Sequence, residues 1–100
     1  MNLHDVDKII EIICKIENCE VEMIKSDKRN SELVYCRGII ILILRELFDL
    51  NYRQIGLFIS RNKSTTYKLY KRFELMCENE KNLKIHYIKI INKLKREGLI

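Results

Sequence analysis

Between Arg61 and Arg72 the chain reads Arg-Asn-Lys-Ser-Thr-Thr-Tyr-Lys-Leu-Tyr-Lys-Arg, hydroxyls and an amide first and basic side chains after. Wound into a helix, Ser64, Thr65, Lys68, Lys71 and Arg72 share one face. Thr66, Leu69, Tyr70, Phe73, Met76 and Cys77 recur on the other at three- and four-residue steps. Hydroxyls that both donate and accept, set among fixed cations, suit base edges and phosphate oxygens. Taken singly, each fits a plainer role: a hydroxyl caps a helix start, and a lysine solvates an outer face. Arg61, Lys71 and Arg72 on the same side as the hydroxyls weigh toward a polyanionic ligand.

Other chemistry is thin. Cys14, Cys19, Cys36 and Cys77 have no C-x-x-C spacing, and His4 and His86 lie far apart with no ligand pattern around them. The cysteines read as reduced thiols acting as small core hydrophobes in a cytoplasmic protein. No nucleophile–base pair or acid–base pair stands out, so the expectation is a non-enzyme without cofactor or metal. No G-x-x-x-x-G-K-[ST] phosphate loop occurs in these residues. The longest apolar run, Ile39 to Leu44, is far shorter than a bilayer span and reads as a buried helix.

The elements that must position the basic face follow from composition and period. One hundred residues with no proline and three glycines, 47% hydrophobic and 33% charged, describe a single helical domain over residues 1–100. The net charge of +5 and pI near 9.1 match the electrostatic footprint of nucleic-acid binding. The charge is uneven: Asp5, Asp7, Glu11, Glu17, Glu20 and Glu22 fall within residues 1–24, whereas the arginines from Arg29 onward fill the middle.

Residues 5–17 carry Val6, Ile9, Ile13 and Ile16 as a helical stripe, with Asp5 as cap. Asn18 to Glu20 is a connector, Val21 to Lys25 a short helical turn, and Ser26 to Ser31 a polar basic loop. A central helix over 32–49 is apolar almost all round. Asn51 and Gln54 form a capping-box variant opening a short helix. Gly56 marks a close helix approach, and Ser60 to Lys63 is a polar turn. Helices over about 63–79 and 83–95 complete the chain. The short helix, turn and basic helix from Asn51 to Phe73 are patterned as a helix-turn-helix.

At these residues the chain resembles the C-terminal DNA-binding domain of the bacterial replication initiator DnaA, one of the Trp-repressor-like helical domains, over roughly residues 8–96. The resemblance is carried by Val21 to Ser26 with Lys28-Arg29, by Arg37, by Arg45-Glu46-Leu47 and by Gln54-Ile55-Gly56. The family signature Gly-Gly-Arg-Asp-His-Thr-Thr-Val has its counterpart in Ser60-Arg61-Asn62-Lys63-Ser64-Thr65-Thr66. Removing one glycine from the turn keeps Glu74 off the buried face, where an unpaired carboxylate would be costly.

In that register the resemblance implies base reading by Lys63, Ser64 and Thr65, a minor-groove arginine at Arg29 and phosphate contacts at Arg37 and Arg45. Ser31, Tyr35, Gly38 and Asn62 depart from the family pattern, so the initiator's own binding sequence is not carried over.

The combined expectation is an all-α, compact domain of five to six helices that contains a helix-turn-helix and binds double-stranded DNA. The expected role is that of a replication-initiator-like protein or a transcriptional regulator, with the helix starting near Lys63 in the major groove and the basic loop on the backbone or minor groove. The candidate DNA-contacting residues are Arg29, Arg37, Arg45, Arg61, Asn62, Lys63, Ser64, Thr65, Lys68, Lys71 and Arg72. Self-association, or contact with a replication or transcription protein, is the further partnership considered; a membrane is not. The alternative is a helical protein–protein interaction module that kept the fold without specific DNA binding.

Overall fold

The computed structural model describes residues 3–100, with side chains from Asp5 onward, so His4 lies outside the described side chains. Six helices follow in order: α1 (Leu3–Glu17), α2 (Val21–Ile24), α3 (Ser31–Phe48), α4 (Tyr52–Ile59), α5 (Lys63–Asn79) and α6 (Lys81–Arg96). There is no strand among the described residues.

The apolar stripe of α1 buries Val6, Ile9, Ile10 and Ile13 against α3 and α6. The helix begins ahead of Asp5, which therefore sits within the first turn instead of capping it. A carboxylate there still suits the positive end of the helix dipole. The α3 helix is buried without a break from Cys36 to Leu44, and α1, α2, α4 and α5 all pack on it. A helix enclosed in this way has no polar face to keep, which explains its unbroken apolar run.

Chain direction is set by local caps. Asp49 takes a left-handed conformation (φ 55°), and the Leu50 amide bonds back to the Leu44 carbonyl at 3.2 Å, ending α3. Asn51 then opens α4 with a reciprocal capping box: its side chain accepts the Gln54 amide at 2.8 Å, while Gln54 Oε1 accepts the Asn51 amide at 3.0 Å. Glu80, in extended conformation, is the single residue between α5 and α6. The last helix accordingly starts two residues before the expected 83, because its apolar stripe begins only at Leu83, about half a turn after its backbone does.

Two glycines are packing sites. A Cβ on Gly38 would collide with the Phe73 ring, so the bare backbone of α3 is what lets α5 seat its largest fully buried side chain. A Cβ on Gly56 would collide with the Arg61 carbonyl oxygen and crowd Thr66 Oγ1 at 3.0 Å. The expected close approach at Gly56 is therefore that of α4 to the turn and the start of α5.

Candidate nucleic-acid interface

The turn between α4 and α5 is three residues long. Ser60 is left-handed (φ 57°) and closes α4, Arg61 follows, and Asn62 caps α5. Asn62 Oδ1 accepts the Thr65 amide at 2.7 Å, and its carbonyl accepts the buried Thr66 hydroxyl at 2.8 Å. The asparagine that departs from the family signature thus serves as an N-cap, a role in which Asn and Asp are equivalent. Thr66, Tyr70 and Phe73 are buried, with Leu69, Met76 and Cys77 partly so. Glu74 stays at the margin, accepting from the Tyr70 hydroxyl at 2.9 Å and from Lys71 at 3.1 Å. The Lys71 ammonium and the Tyr70 hydroxyl hold the Glu74 carboxyl below its ordinary value. This inner face is the one the one-glycine deletion requires.

A groove runs between the basic loop (residues 25–30) with the first half of α3 on one side and the start of α5 on the other. Buried Ile41 and Ile59 line it beside the cations Arg29, Arg61, Lys68 and Arg72. Among the described residues none of these four forms an ion pair with a carboxylate. Arg72 is steadied instead over the Phe73 ring, 5.8 Å from its centroid.

Arg37 also borders the groove, but its guanidinium is committed. It donates to the carbonyls of Ile24 at 2.8 Å, Met23 at 3.0 Å and Ser26 at 3.1 Å, and the residue is only 2% exposed. Burial, and after it the neighbouring charge of Arg61, lowers the Arg37 pKa from the usual arginine value. Arginine nonetheless stays charged. The phosphate contact expected at Arg37 is therefore corrected: this side chain closes the end of α2 and holds the loop, and it is too buried to meet a phosphate.

The other candidates divide by position. Thr65 lies in the groove, and Lys63 and Ser64 are exposed on the first turn of α5. Lys71 is exposed on the outer face but paired with Glu74. Arg45 sits apart, at the end of α3, donating to Asp49 at 3.1 Å and to the Leu50 carbonyl at 3.3 Å while lying over the Tyr52 ring. Arg61 donates to the Ile59 and Ser60 carbonyls and, at 2.8 Å, to the Ser26 carbonyl.

Tyr67, 45% exposed on α5 and outside the residues that line the groove, meets the Tyr52 ring edge-on at 5.1 Å.

A packed helix, a tight turn and a second helix with a polar, basic outer face define a helix-turn-helix domain. The chain belongs to the bacterial DnaA helix-turn-helix family, whose model matches residues 6–72, from α1 through the basic face of α5. It is 36% identical over 75 residues to the chromosomal replication initiator protein DnaA of Mycoplasma pneumoniae, covering 75% of this chain and 17% of that protein. Against the protein of the same name from Mycoplasma genitalium it is 30% identical over 76 residues, 76% of this chain and 17% of the relative. Against that from Streptococcus thermophilus it is 29% identical over 96 residues, 95% of this chain and 21% of the relative. The chain thus spans about a fifth of the length of the curated relatives it matches.

Proposed function

We propose that this chain binds double-stranded DNA in the initiation of chromosome replication, with α5 in the major groove and the basic loop against the neighbouring backbone or minor groove. The observation that carries this reading is the groove in which Arg29, Lys68 and Arg72 converge without carboxylate partners among the described residues, beside an Arg61 already bonded to backbone carbonyls. Cations left unpaired beside an exposed helix start suit a phosphate backbone.

Lys63, Ser64 and Thr65 stand where the first turn of a recognition helix meets base edges. Lys63 can bond guanine O6 or N7 or a phosphate, and Thr65 can bond a base or pack its methyl group on thymine. Arg29, on a loop, suits a narrow minor groove. Lys68, Lys71 and Arg72 supply phosphate contacts along the outer face of α5, and Arg45 one more near the start of α4. The role is recognition, not catalysis.

The test is selection of bound sites from random duplexes at two salt concentrations. A specific reader enriches a defined sequence, and its affinity falls with a log–log salt slope of about −0.9 for each phosphate neutralised. A helical protein-interaction module is the second reading, favoured by the exposed Leu57, Leu75, Ile85 and Ile88. Absent or salt-insensitive duplex binding would move the assignment there.

A further inference from the structure

The Ser26 carbonyl receives two guanidinium groups from distant parts of the chain. Arg37, on α3, donates to it at 3.1 Å and Arg61, in the α4–α5 turn, at 2.8 Å. Arg61 simultaneously donates to the Ile59 and Ser60 carbonyls at 3.3 and 3.1 Å, spanning its own turn and the loop 35 residues away. The loop's remaining bonds are local: the Ser26 hydroxyl donates to the Met23 carbonyl at 2.7 Å, and the Lys28 amide to that hydroxyl at 3.3 Å. Hydrogen-bonded linkage between the loop that carries Arg29 and the turn that launches α5 therefore runs through Arg61.

We propose that Arg61 is a positioning residue for DNA recognition, a clasp that fixes the distance between the Arg29 loop and the first turn of α5 so that both engage one duplex together. This rests on the DNA-binding reading above. A guanidinium suits the task because its rigid fork offers five donors in a plane, enough to bridge two segments at once, whereas an ammonium is a compact point donor. With the two groove-reading parts held in register before binding, the duplex does not have to order the loop. Arg61 thus acts through Arg29, and its removal costs the Arg29 contact.

The experiment is a double-mutant cycle between Arg61→Ala and Arg29→Ala on the duplex recovered by selection, with salt slopes and backbone 15N order parameters of the folded variants. Each single substitution should weaken binding by about tenfold. The double should remain near that value, well short of the product of the two. Adding Arg61→Ala to the Arg29→Ala chain should leave the salt slope unchanged.

In the free protein, Arg61→Ala should lower order parameters over residues 26–30 from about 0.85 toward 0.6, leaving α1 and α6 unchanged. Arg61→Lys keeps the charge and should reproduce the alanine phenotype; it also carries the test if the alanine variant does not fold. Additive losses, a slope that drops by about one contact in the Arg29→Ala chain, or rescue by lysine would make Arg61 a direct phosphate contact and overturn the clasp. Should the wild-type chain bind no duplex, the functional reading falls, and the loop order parameters alone uphold or overturn the clasp.

Discussion

Arginines of one chemical type do different work here according to what surrounds them. Arg29 is exposed on a loop, whereas Arg37 is buried and spends its donors on three carbonyls at the end of α2. Arg37→Ala should therefore act on stability, losing about 2–4 kcal/mol in urea unfolding because a charged donor and its acceptors lose one another in a buried site. An unchanged midpoint with weaker DNA binding would return Arg37 to the interface. Lys63 and Thr65 are the opposite case, exposed and outside the packing. Lys63→Ala and Thr65→Ala should leave stability almost unchanged while losing about 1–3 kcal/mol of discrimination between the selected site and a mismatch. Equal loss on every sequence would reassign the residue to phosphate.

At the scale of elements, the turn and the seat of α5 decide whether the basic face is presented at all. Ser60 occupies a left-handed conformation (φ 57°) that glycine adopts without steric cost. Ser60→Gly should raise stability by about 0.5–1 kcal/mol, the relief of that strain less the extra entropy of a glycine chain. A destabilised variant would show that the serine hydroxyl has a role the backbone does not reveal. Phe73, 1% exposed and seated over Gly38, anchors α5 to α3. Phe73→Ala should cost about 3–5 kcal/mol in thermal or urea unfolding. A fully stable Phe73→Ala protein would refute the assignment of Phe73 as the anchor between these helices. The departure from the family pattern at Gly38 thus has a packing reason in this chain and does not by itself argue against DNA binding.

Across the whole molecule, the carboxyls of Glu32, Glu74 and Glu97 are all held below their ordinary value. The first cause is the Glu32 residue's own amide, a Lys71 bond for Glu74 and a Lys93 bond for Glu97. A carboxyl depressed in the folded state gives stability that is complete above its unfolded value, about 4.3, and is lost as pH falls through the lower folded value. Melting temperature at low salt should therefore decline as pH drops below about 4.3. It should decline less steeply for Glu74→Gln, and more weakly at high salt because these groups are exposed. A flat profile down to the acid limit would show that these bonds do not survive in solution.

The order of helices, the enclosed α3, the Asn51–Gln54 cap and the inner face of α5 through Phe73 were all legible in the residues. Each depends on periodicity or on bonds that span one turn, so neighbours along the chain determine them. The outward position of Lys63, Ser64 and Lys68 follows from that same inner face. The buried service of Arg37, the Arg61–Ser26 bond and the seat of Phe73 on Gly38 were not legible. These join segments from about a dozen to 35 residues apart, and a guanidinium carries the same charge whether it meets a carbonyl or a phosphate. Sequence alone determined a helix-turn-helix whose second helix has a basic outer face, and the register of that face. Tertiary structure decided which cations remain free to bind, because only packing sets which donors already have a partner.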